Sequence, residues 1–285
     1  MPRLTPPPNL NPRTPKLALP AGAVDCHVHM FGPRSKYPFG PDAHYISEDA
    51  TAEMYFAIQA RLGLSKAVLV SGGGYGQTYT HLADTLRQYP DRLRGVVRLP
   101  PAVTMEEIVE LDRIGVKAAR FFGPDRLTGM TPDLLAMTSE VGWHIQFYVE
   151  RRDTLAEVAD VLLGLNRTVV LDHFAHNAAS GGPDSAQNRR LLELLETGRF
   201  WVKLSGPMRV SDAGDPYAEL MPMARKLVES FPERLVWGSD WPHTLLWDVP
   251  MPDDGDLIDL IGEWIPDEAT RRRILVENPA TLYGY

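Results

Sequence analysis

The chain has little cysteine, no long apolar run and no excess of positive charge. Its 285 residues include one cysteine, Cys26, which excludes an intrachain disulfide and favours a reducing compartment. Acidic residues number 37 against 29 lysines and arginines, a net charge of −8, so no basic surplus is available for nucleic acid. No apolar run approaches the roughly 18 residues that span a bilayer, and no signal-peptide pattern is present. These absences predict a cytoplasmic protein that binds neither nucleic acids nor membranes.

Proline is concentrated at the start of the chain. Residues 1–20 contain seven prolines and show little apolar periodicity. This composition predicts an extended arm, lying on the rest of the molecule or on a neighbouring subunit, with no catalytic role. Residues 21–285 are predicted to form the folded domain. The oligomeric state is left open, a homodimer being one option.

From residue 23 onward, short β-branched runs alternate eight times with longer amphipathic stretches. The predicted strands are 24–29, 66–71, 93–99, 116–122, 144–149, 168–173, 200–205 and 234–239. The predicted helices are 51–62, 79–88, 105–114, 132–141, 154–165, 186–197 and 217–230. A doubly wound open sheet is the alternative, but it more often has five or six strands, and no G-x-G-x-x-G follows the first strand. The sequence therefore predicts an α/β fold, a single (β/α)8 TIM barrel.

Polar side chains collect where the predicted strands end, which is where barrel enzymes carry their active sites. They are His27, His29, Ser71 with 72–74, Arg98, Arg120, Tyr148, Asp172, His173, Lys203, Ser205 and Asp240. Two histidines at i and i+2 of a strand project to one side, where they can bind a metal, relay a proton or hold a polarised carbonyl oxygen. Cys26 lies between inward-facing positions and is expected to point into the helix layer.

Several of these strand ends resemble the amidohydrolase superfamily (amidohydrolase family 2). The matching segments are 24–33 (V-D-C-H-V-H-M-F-G-P), 119–121 (A-R-F), 148–150 (Y-V-E), 171–173 (L-D-H), 237–243 (W-G-S-D-W-P-H) and 278–283 (N-P-A-T-L-Y). H-x-H alone is a weak motif, but the combination is similar to the metal-independent lactonase branch, in particular the 2-pyrone-4,6-dicarboxylate lactonases. The similarity covers nearly the whole predicted barrel, from about residue 20 onward.

The catalytic prediction centres on one carboxylate. A carboxylate at the mouth of the eighth strand can take a proton from water that attacks an ester carbonyl, and the resemblance implies this role for Asp240. We expect His27, His29 and His173 to donate hydrogen bonds to the lactone carbonyl and its developing oxyanion.

A metal site is the competing interpretation of the same residues. Metal-dependent relatives hold a divalent cation at the positions that match His27, His29, His173 and Asp240. This set of donor atoms suits zinc. The fifth strand ends in Tyr148, where many metal-dependent relatives have a histidine. The fourth strand ends near Arg120, whose positive charge disfavours a bound cation. The prediction is therefore no metal and no cofactor, with zinc as the alternative.

The substrate is predicted to be a small anionic lactone. Arg120, Arg126 and Arg209 follow strand ends, and the resemblance places carboxylate-binding arginines at these positions; guanidinium groups match carboxylates bidentately. Tyr148 is expected to orient a substrate oxygen. His176 and His243 complete the predicted binding residues.

Two departures from the lactonase pattern lie in the predicted pocket. His176 stands where the lactonase has arginine, and 71–75 reads S-G-G-G-Y, where the relative has serine, cysteine and histidine. The glycine run allows either close backbone approach to a ligand or a mobile loop. A related isomerase carries asparagine at the position of Asp240, so the aspartate favours hydrolysis.

The sequence thus predicts a hydrolase that opens a carboxylated lactone, of pyrone-dicarboxylate, sugar-acid or muconolactone type. The alternatives are a zinc-dependent amidohydrolase or decarboxylase on the same barrel, and a non-catalytic ligand-binding barrel.

Overall fold

A parallel eight-stranded sheet forms the centre of the protein. The computed structural model describes residues 2–40, 43 and 45–285. Its strands in chain order are β1 Arg3–Leu4, β2 Val24–Val28, β3 Tyr45–Ile46, β4 Lys66–Val70, β5 Leu93–Val97, β6 Val116–Gly123, β7 His144–Val149, β8 Val169–Leu171, β9 Phe200–Ser205 and β10 Leu235–Gly238. The sheet order is β10-β9-β8-β7-β6-β5-β4-β2, and β1 pairs separately with β3.

The first and last strands of this sheet meet and close the barrel. The amide of Asp240, just after β10, donates to the carbonyl of His27 at 2.9 Å, and the amide of His29 donates to the carbonyl of Trp241 at 2.7 Å. Gly238 allows this approach, because a Cβ there would lie 2.6 Å from the Cβ of His27. The (β/α)8 prediction is confirmed.

Helices cover the outside of the barrel. They are α1 Ala52–Arg61, α2 Thr80–Gln88, α3 Met105–Arg113, α4 Pro132–Glu140, α5 Leu155–Gly164, α6 Ala186–Glu196, α7 Pro207–Val210, α8 Met221–Ser230, α9 Asp254–Trp264, α10 Glu268–Arg272 and α11 Asn278–Tyr283. Side-chain oxygens of Thr51, Thr104, Thr131 and Ser185 accept from amides of the first turn and fix where α1, α3, α4 and α6 begin. Across the described residues, no helix is long and apolar enough to cross a membrane.

One predicted helix begins later than expected. The stretch 217–230 was predicted as one helix, but Tyr217 has φ 55° in the left-handed region, and α8 begins at Met221 after a short 3-10 turn. The tertiary contacts of Tyr217, which is buried, override its helical periodicity.

Two apolar layers fill the space inside and outside the sheet. The inner layer packs Val68, Val70, Val96, Ala118, Val170, Trp201 and Val236 against Tyr283, below the polar end of the barrel. Cys26 belongs to this inner layer, so the prediction that it points into the helix layer is wrong. The register of β2 shifts between Asp25 and Val28, which breaks the alternation on which that prediction relied. Asp25 points to the helix layer instead and accepts from the Tyr55 hydroxyl at 3.0 Å.

The proline-rich segment runs over the surface of its own barrel. Asp259 of α9 accepts from the amides of Lys16 and Leu17 at 2.8 and 2.9 Å. The Arg13 side chain donates to Asp256 and Asp259 at 2.5 Å each. Residue 1 of the predicted arm lies outside the described residues, and the arm–barrel boundary at residue 20 stays a prediction.

Candidate active site

His27 of β2 and His29, which directly follows β2, sit at the mouth of the barrel with their Nε2 atoms 3.3 Å apart. The Nδ1 of His29 lies 2.9 Å from the carbonyl oxygen of Val70, which can only accept a hydrogen bond. The Nε2 of neutral His29 therefore carries a lone pair. Burial lowers the pKa of His29 to about 4, so the neutral form prevails at pH 7.

Asp240 lies wholly buried where the loop leaves β10, with φ 69° in the left-handed region. Its Oδ2 accepts from Nε of Arg209 at 2.6 Å, while Oδ1 has no hydrogen-bond partner among the described residues. Burial raises the pKa of this carboxyl, but Arg209 together with His27, His29 and His243 outweighs that effect and lowers the pKa from its ordinary value. Asp240 is thus ionised at neutral pH, and its Oδ1 can accept a proton.

Three imidazole rings surround that oxygen. The Nε2 atoms of His27 and His29 are each 3.7 Å from Oδ1 of Asp240, and Nε2 of His173 is 3.8 Å away. These four residues are the predicted catalytic set, which the structure brings together although they come from three distant stretches of the chain. Their separations leave room for a small bound species between nearly equidistant polar atoms.

His173 is held by the loop that follows β8. Its Nδ1 is 2.9 Å from Oγ of Ser205, and four consecutive residues, 173–176, have positive φ between 49° and 58°. Gly206 permits the packing, since a Cβ there would lie 2.7 Å from the same Nδ1. Non-glycine residues in this region store strain, and such strain is concentrated at functional sites.

Beneath the histidines lies a buried ionic network that the sequence reasoning did not assign. Lys203 is fully buried and donates to the carbonyl of Cys26 at 2.9 Å and to Oε1 of Gln146 at 2.7 Å. Its Nζ is also 3.3 Å from Nδ1 of His27 and 3.4 Å from Asp172. Lys203 was noted at a strand end, but no local pattern shows that its ammonium reaches His27.

Asp172 is the anion of that network. Its Oδ2 accepts from Arg120 at 3.0 Å and from Gln146 at 3.1 Å, and its Oδ1 lies 3.3 Å from His27 Nδ1. Burial opposes its ionisation, but Lys203, His27 and Arg120 together keep its pKa well below the usual value. The D-H pair 172–173 thus supplies one structural carboxylate and one site histidine.

The predicted substrate-binding residues line the mouth unevenly. Arg120 donates to Asp172 and to the carbonyl of Ser71 at 3.2 Å, and Arg126 is half-exposed and ion-paired with Glu150. Tyr148 stacks on His176, with ring centroids 5.3 Å apart. Their contact with a substrate stays a prediction.

The remaining two predicted binding residues lie deeper. Arg209 is committed to Asp240 and also donates to the carbonyl of Thr244 at 3.1 Å. His243 has no solvent exposure and lies 3.1 Å from Asp254 at the start of α9. Its remaining Nδ1 has no partner among the described residues.

The glycine run after β4 packs under aromatic rings. A Cβ at Gly72 would lie 2.6 Å from the Phe31 ring, and one at Gly74 would lie 2.5 Å from the Phe39 ring. This close packing accounts for two of the three glycines without a ligand.

The donor set can be compared with the geometry of a metal site. Tetrahedral zinc has metal–nitrogen bonds of about 2.0–2.1 Å, which places neighbouring ligand atoms roughly 3.3 Å apart. His27, His29 and Asp240 form one group of candidate ligands, and their atoms lie 3.3 to 3.7 Å apart. In number and spacing the residues fit a divalent cation. The protonation pattern fits less well, because an ammonium that donates to Nδ1 of His27 leaves its Nε2 carrying hydrogen.

Comparisons with known proteins identify the family of this chain. The amidohydrolase family profile matches residues 24–285. A 2-pyrone-4,6-dicarboxylate hydrolase from Comamonas testosteroni is 35% identical, with 96% of this chain and 93% of the relative covered. A 4-sulfomuconolactone hydrolase from Rhizobium radiobacter is 34% identical, with 94% and 91% covered.

The solved structures agree with the fold. A crystal structure of an Agrobacterium tumefaciens protein superposes with a TM-score of 0.85 at 26% identity, covering 97% of this chain and 99% of the other. The chain belongs to the amidohydrolase family.

Proposed function

We propose that this member of the amidohydrolase family is a hydrolase that opens the ring of an anionic lactone. The two relatives described above are named as hydrolases of a pyrone dicarboxylate and of a sulfomuconolactone, and each aligns along more than nine-tenths of this chain. The observation that carries the proposal is the unpartnered Oδ1 of Asp240, enclosed by three histidine nitrogens.

Asp240 is proposed as the general base. Its Oδ1 takes a proton from a water molecule as the water oxygen bonds to the lactone carbonyl carbon. The ring C–O bond then breaks, and the proton on Asp240 passes to the departing ring oxygen. The new carboxylic acid group releases a second proton to solvent, so the overall reaction can be followed as acid production.

The histidines divide into donors and one acceptor. Lys203 can only donate to Nδ1 of His27, which places a hydrogen on Nε2 of that ring. A Ser205 hydroxyl that donates to Nδ1 of His173 has the same effect there. His27 and His173 would then stabilise the oxyanion. Neutral His29 has a lone pair at Nε2, so it orients the attacking water, rather than donating as the sequence analysis expected.

Metal-dependent hydrolysis on the same residues is the second candidate. His27, His29, His173 and Asp240 would hold the cation, which would polarise the carbonyl and lower the pKa of water. Its support is the ligand spacing; against it stand Arg209 on Asp240 and Lys203 on His27, which already supply positive charge. We therefore favour the metal-free reaction.

The test is a hydrolysis screen with the wild type, Asp240→Asn and a control, Asp160→Asn. The control removes a carboxylate from an exposed ion pair with Arg190. Proton release is measured on mono- and dicarboxylated lactones, with and without chelator, and metal content is measured on protein purified without chelator. We expect turnover that survives chelation, and a loss of roughly 100- to 10,000-fold in kcat for Asp240→Asn alone.

Each contrary result overturns a defined part of the proposal. Normal turnover by Asp240→Asn removes that residue as the base. Near-stoichiometric zinc that is required for turnover replaces the metal-free reaction with the metal-dependent one. Tight binding of lactones with no turnover in any assay identifies a binding protein.

A further inference from the structure

Three guanidinium groups surround one aromatic ring beside the site. The Cζ atoms of Arg98, Arg120 and Arg126 lie 4.6, 5.1 and 5.0 Å from the centroid of the Phe122 ring. Together they line a cavity of about 190 Å³ at the ends of β5 and β6. Like charges this close repel each other, and negative charge nearby offsets the repulsion.

Two of these arginines already have carboxylate partners. Arg120 is paired with Asp172, and Arg126 with Glu150. Arg98 follows β5, and its backbone amide donates to Oγ of Ser71 at 3.1 Å. Within residues 2–40, 43 and 45–285, no carboxylate lies within ion-pair distance of its guanidinium. Burial lowers the pKa of Arg98 to about 10, and Arg120 and Arg126 add to the shift, so it is charged at pH 7.

The charge around the site is correspondingly unbalanced. The cations are Arg98, Arg120, Arg126, Lys203 and Arg209, and the described carboxylates paired with them are Asp172, Glu150 and Asp240. Five positive charges less three negative charges leave a surplus of two within this ion-paired set. The buried carboxylate of Asp25, which accepts from the amides of His27 and Ser239, offsets part of it, and negative charge on a ligand would offset the rest.

Hydrogen bonds of Arg120 and Ser71 link the lining of the cavity to the catalytic residues. Arg120 lines the cavity and also contacts Asp172, whose other oxygen is 3.3 Å from His27. The Ser71 carbonyl accepts from Arg120, and its hydroxyl accepts from the Arg98 amide. A group bound in the cavity would therefore contact Arg120, whose carboxylate partner Asp172 lies beside His27.

We propose that Arg98 is a specificity-determining residue that binds an oxyanion substituent of the lactone, a carboxylate or a sulfonate, in the cavity on Phe122. The substrate then carries this group in addition to the carboxylate that Arg120, Arg126 and Arg209 are expected to bind. The inference rests on the proposed lactone hydrolysis, which it narrows to doubly charged substrates.

Kinetics of Arg98→Met test the role of the cation. We expect kcat/KM for an anionic lactone to fall at least tenfold, mainly through KM, while kcat/KM for the neutral lactone 3,4-dihydrocoumarin changes less than twofold. Arg98→Lys retains the charge and should recover part of the loss. Arg113→Met, which removes an exposed arginine paired with Glu110, is the matched control.

Direct binding separates this inference from the proposed reaction. Calorimetry with isophthalate, 3-sulfobenzoate and benzoate needs no turnover, so it tests Arg98 even if the wild type hydrolyses no lactone. We expect the wild type to bind the two dianions at least tenfold more tightly than benzoate, and Arg98→Met to lose that preference. Preference for isophthalate alone would assign a carboxylate, and preference for 3-sulfobenzoate alone a sulfonate.

Two results would overturn the proposal. One is an equal loss toward anionic and neutral lactones in Arg98→Met, which would indicate a structural role. The other is unchanged dianion affinity in a variant whose thermal unfolding matches the wild type.

Discussion

At the scale of single residues, one chain of hydrogen bonds sets which nitrogen of each histidine carries hydrogen. The Val70 carbonyl accepts from His29, leaving the Nε2 of that ring as an acceptor, 3.3 Å from Nε2 of His27. Lys203 donates to the other nitrogen of His27. Because an ammonium can only donate and a carbonyl can only accept, these two contacts favour hydrogen on Nε2 of His27 and on Nδ1 of His29. Asp172 Oδ1 acts against the first assignment, since it also lies 3.3 Å from Nδ1 of His27.

Replacing Lys203 with methionine tests whether Lys203 is a positioning residue that sets which nitrogen of His27 carries hydrogen. We expect His27 to move its hydrogen to Nδ1, facing Asp172, and kcat to fall at least tenfold. Nitrogen-15 NMR of the imidazole rings reads the change directly, which a purely structural effect would not produce. Loss of a buried ion-pair partner should also cost about 3 kcal/mol of unfolding free energy.

The control for this variant is Lys117→Met, which removes a partly exposed lysine paired with Asp112 at 3.0 Å. An unchanged His27 spectrum in Lys203→Met would contradict the assignment.

At the scale of elements, α9 ties the N-terminal segment to the barrel. Asp253 caps this helix, its side chain accepting from the Gly255 amide at 2.8 Å. The same carboxylate accepts from Asn9 and from the Arg13 amide at 3.1 Å each. One side chain thus begins a helix and holds a segment about 240 residues away in sequence.

Asp253→Ala should therefore cost more than an ordinary helix cap. Loss of a cap costs about 1 kcal/mol, and the contacts with the arm should add a similar amount. Urea denaturation is the measurement, with Asp267→Ala as the matched control. Asp267 caps α10 through Thr270 at 2.7 Å and has no arm contact among its described bonds. Equal losses in the two variants would show that the arm contributes nothing to stability.

At the scale of the whole molecule, buried histidines make stability depend on pH. All seven histidines among the described residues are buried. Burial lowers the pKa of His29 and His81 to about 4 and of His144 to about 3, and it also lowers the pKa of His27, His173 and His176. Below pH 6.5 the unfolded chain therefore binds protons on these histidines, whereas the native state keeps them neutral.

Stability should consequently be full above pH 6.5 and fall as pH decreases toward 4. A histidine whose pKa drops by 2 to 3 units loses about 3 kcal/mol over that window. Asp25 acts in the opposite direction, because burial raises its pKa to about 6 and protonation favours the native state. One carboxyl cannot offset six imidazoles, so we expect acid unfolding between pH 6 and 4.

Urea denaturation at pH 7, 6, 5 and 4.5 checks this expectation. His144→Leu is the matched variant, since His144 lies against Tyr283 at the base of the barrel, away from Asp240. The substitution should lower by about one the number of protons that the chain takes up when it unfolds at low pH. An unfolding free energy that stays constant from pH 7 to pH 5 would contradict the argument.

Much of the architecture was predictable because it depends on local patterns. The bounds of β7 and β9 match the predicted strands. Each of the other barrel strands differs from its prediction by one or two residues, at one end or at both ends. Helix α9 was missed because its proline- and aspartate-rich start resembles a loop. Cys26 was placed on the wrong face because the register of β2 shifts between Asp25 and Val28. The same strand also contacts the opposite end of the chain, where Val28 pairs with Trp241.

The sequence by itself determined the barrel and the set of chemistry-bearing residues at its mouth, since hydrophobic periodicity and parallel strand order suffice for both. Only the tertiary structure decided which charges meet: Arg209 with Asp240, Lys203 with His27, and Arg98 with no described carboxylate. Those pairings depend on ångström distances between residues far apart in sequence, and electrostatic energy in a buried site changes steeply over such distances.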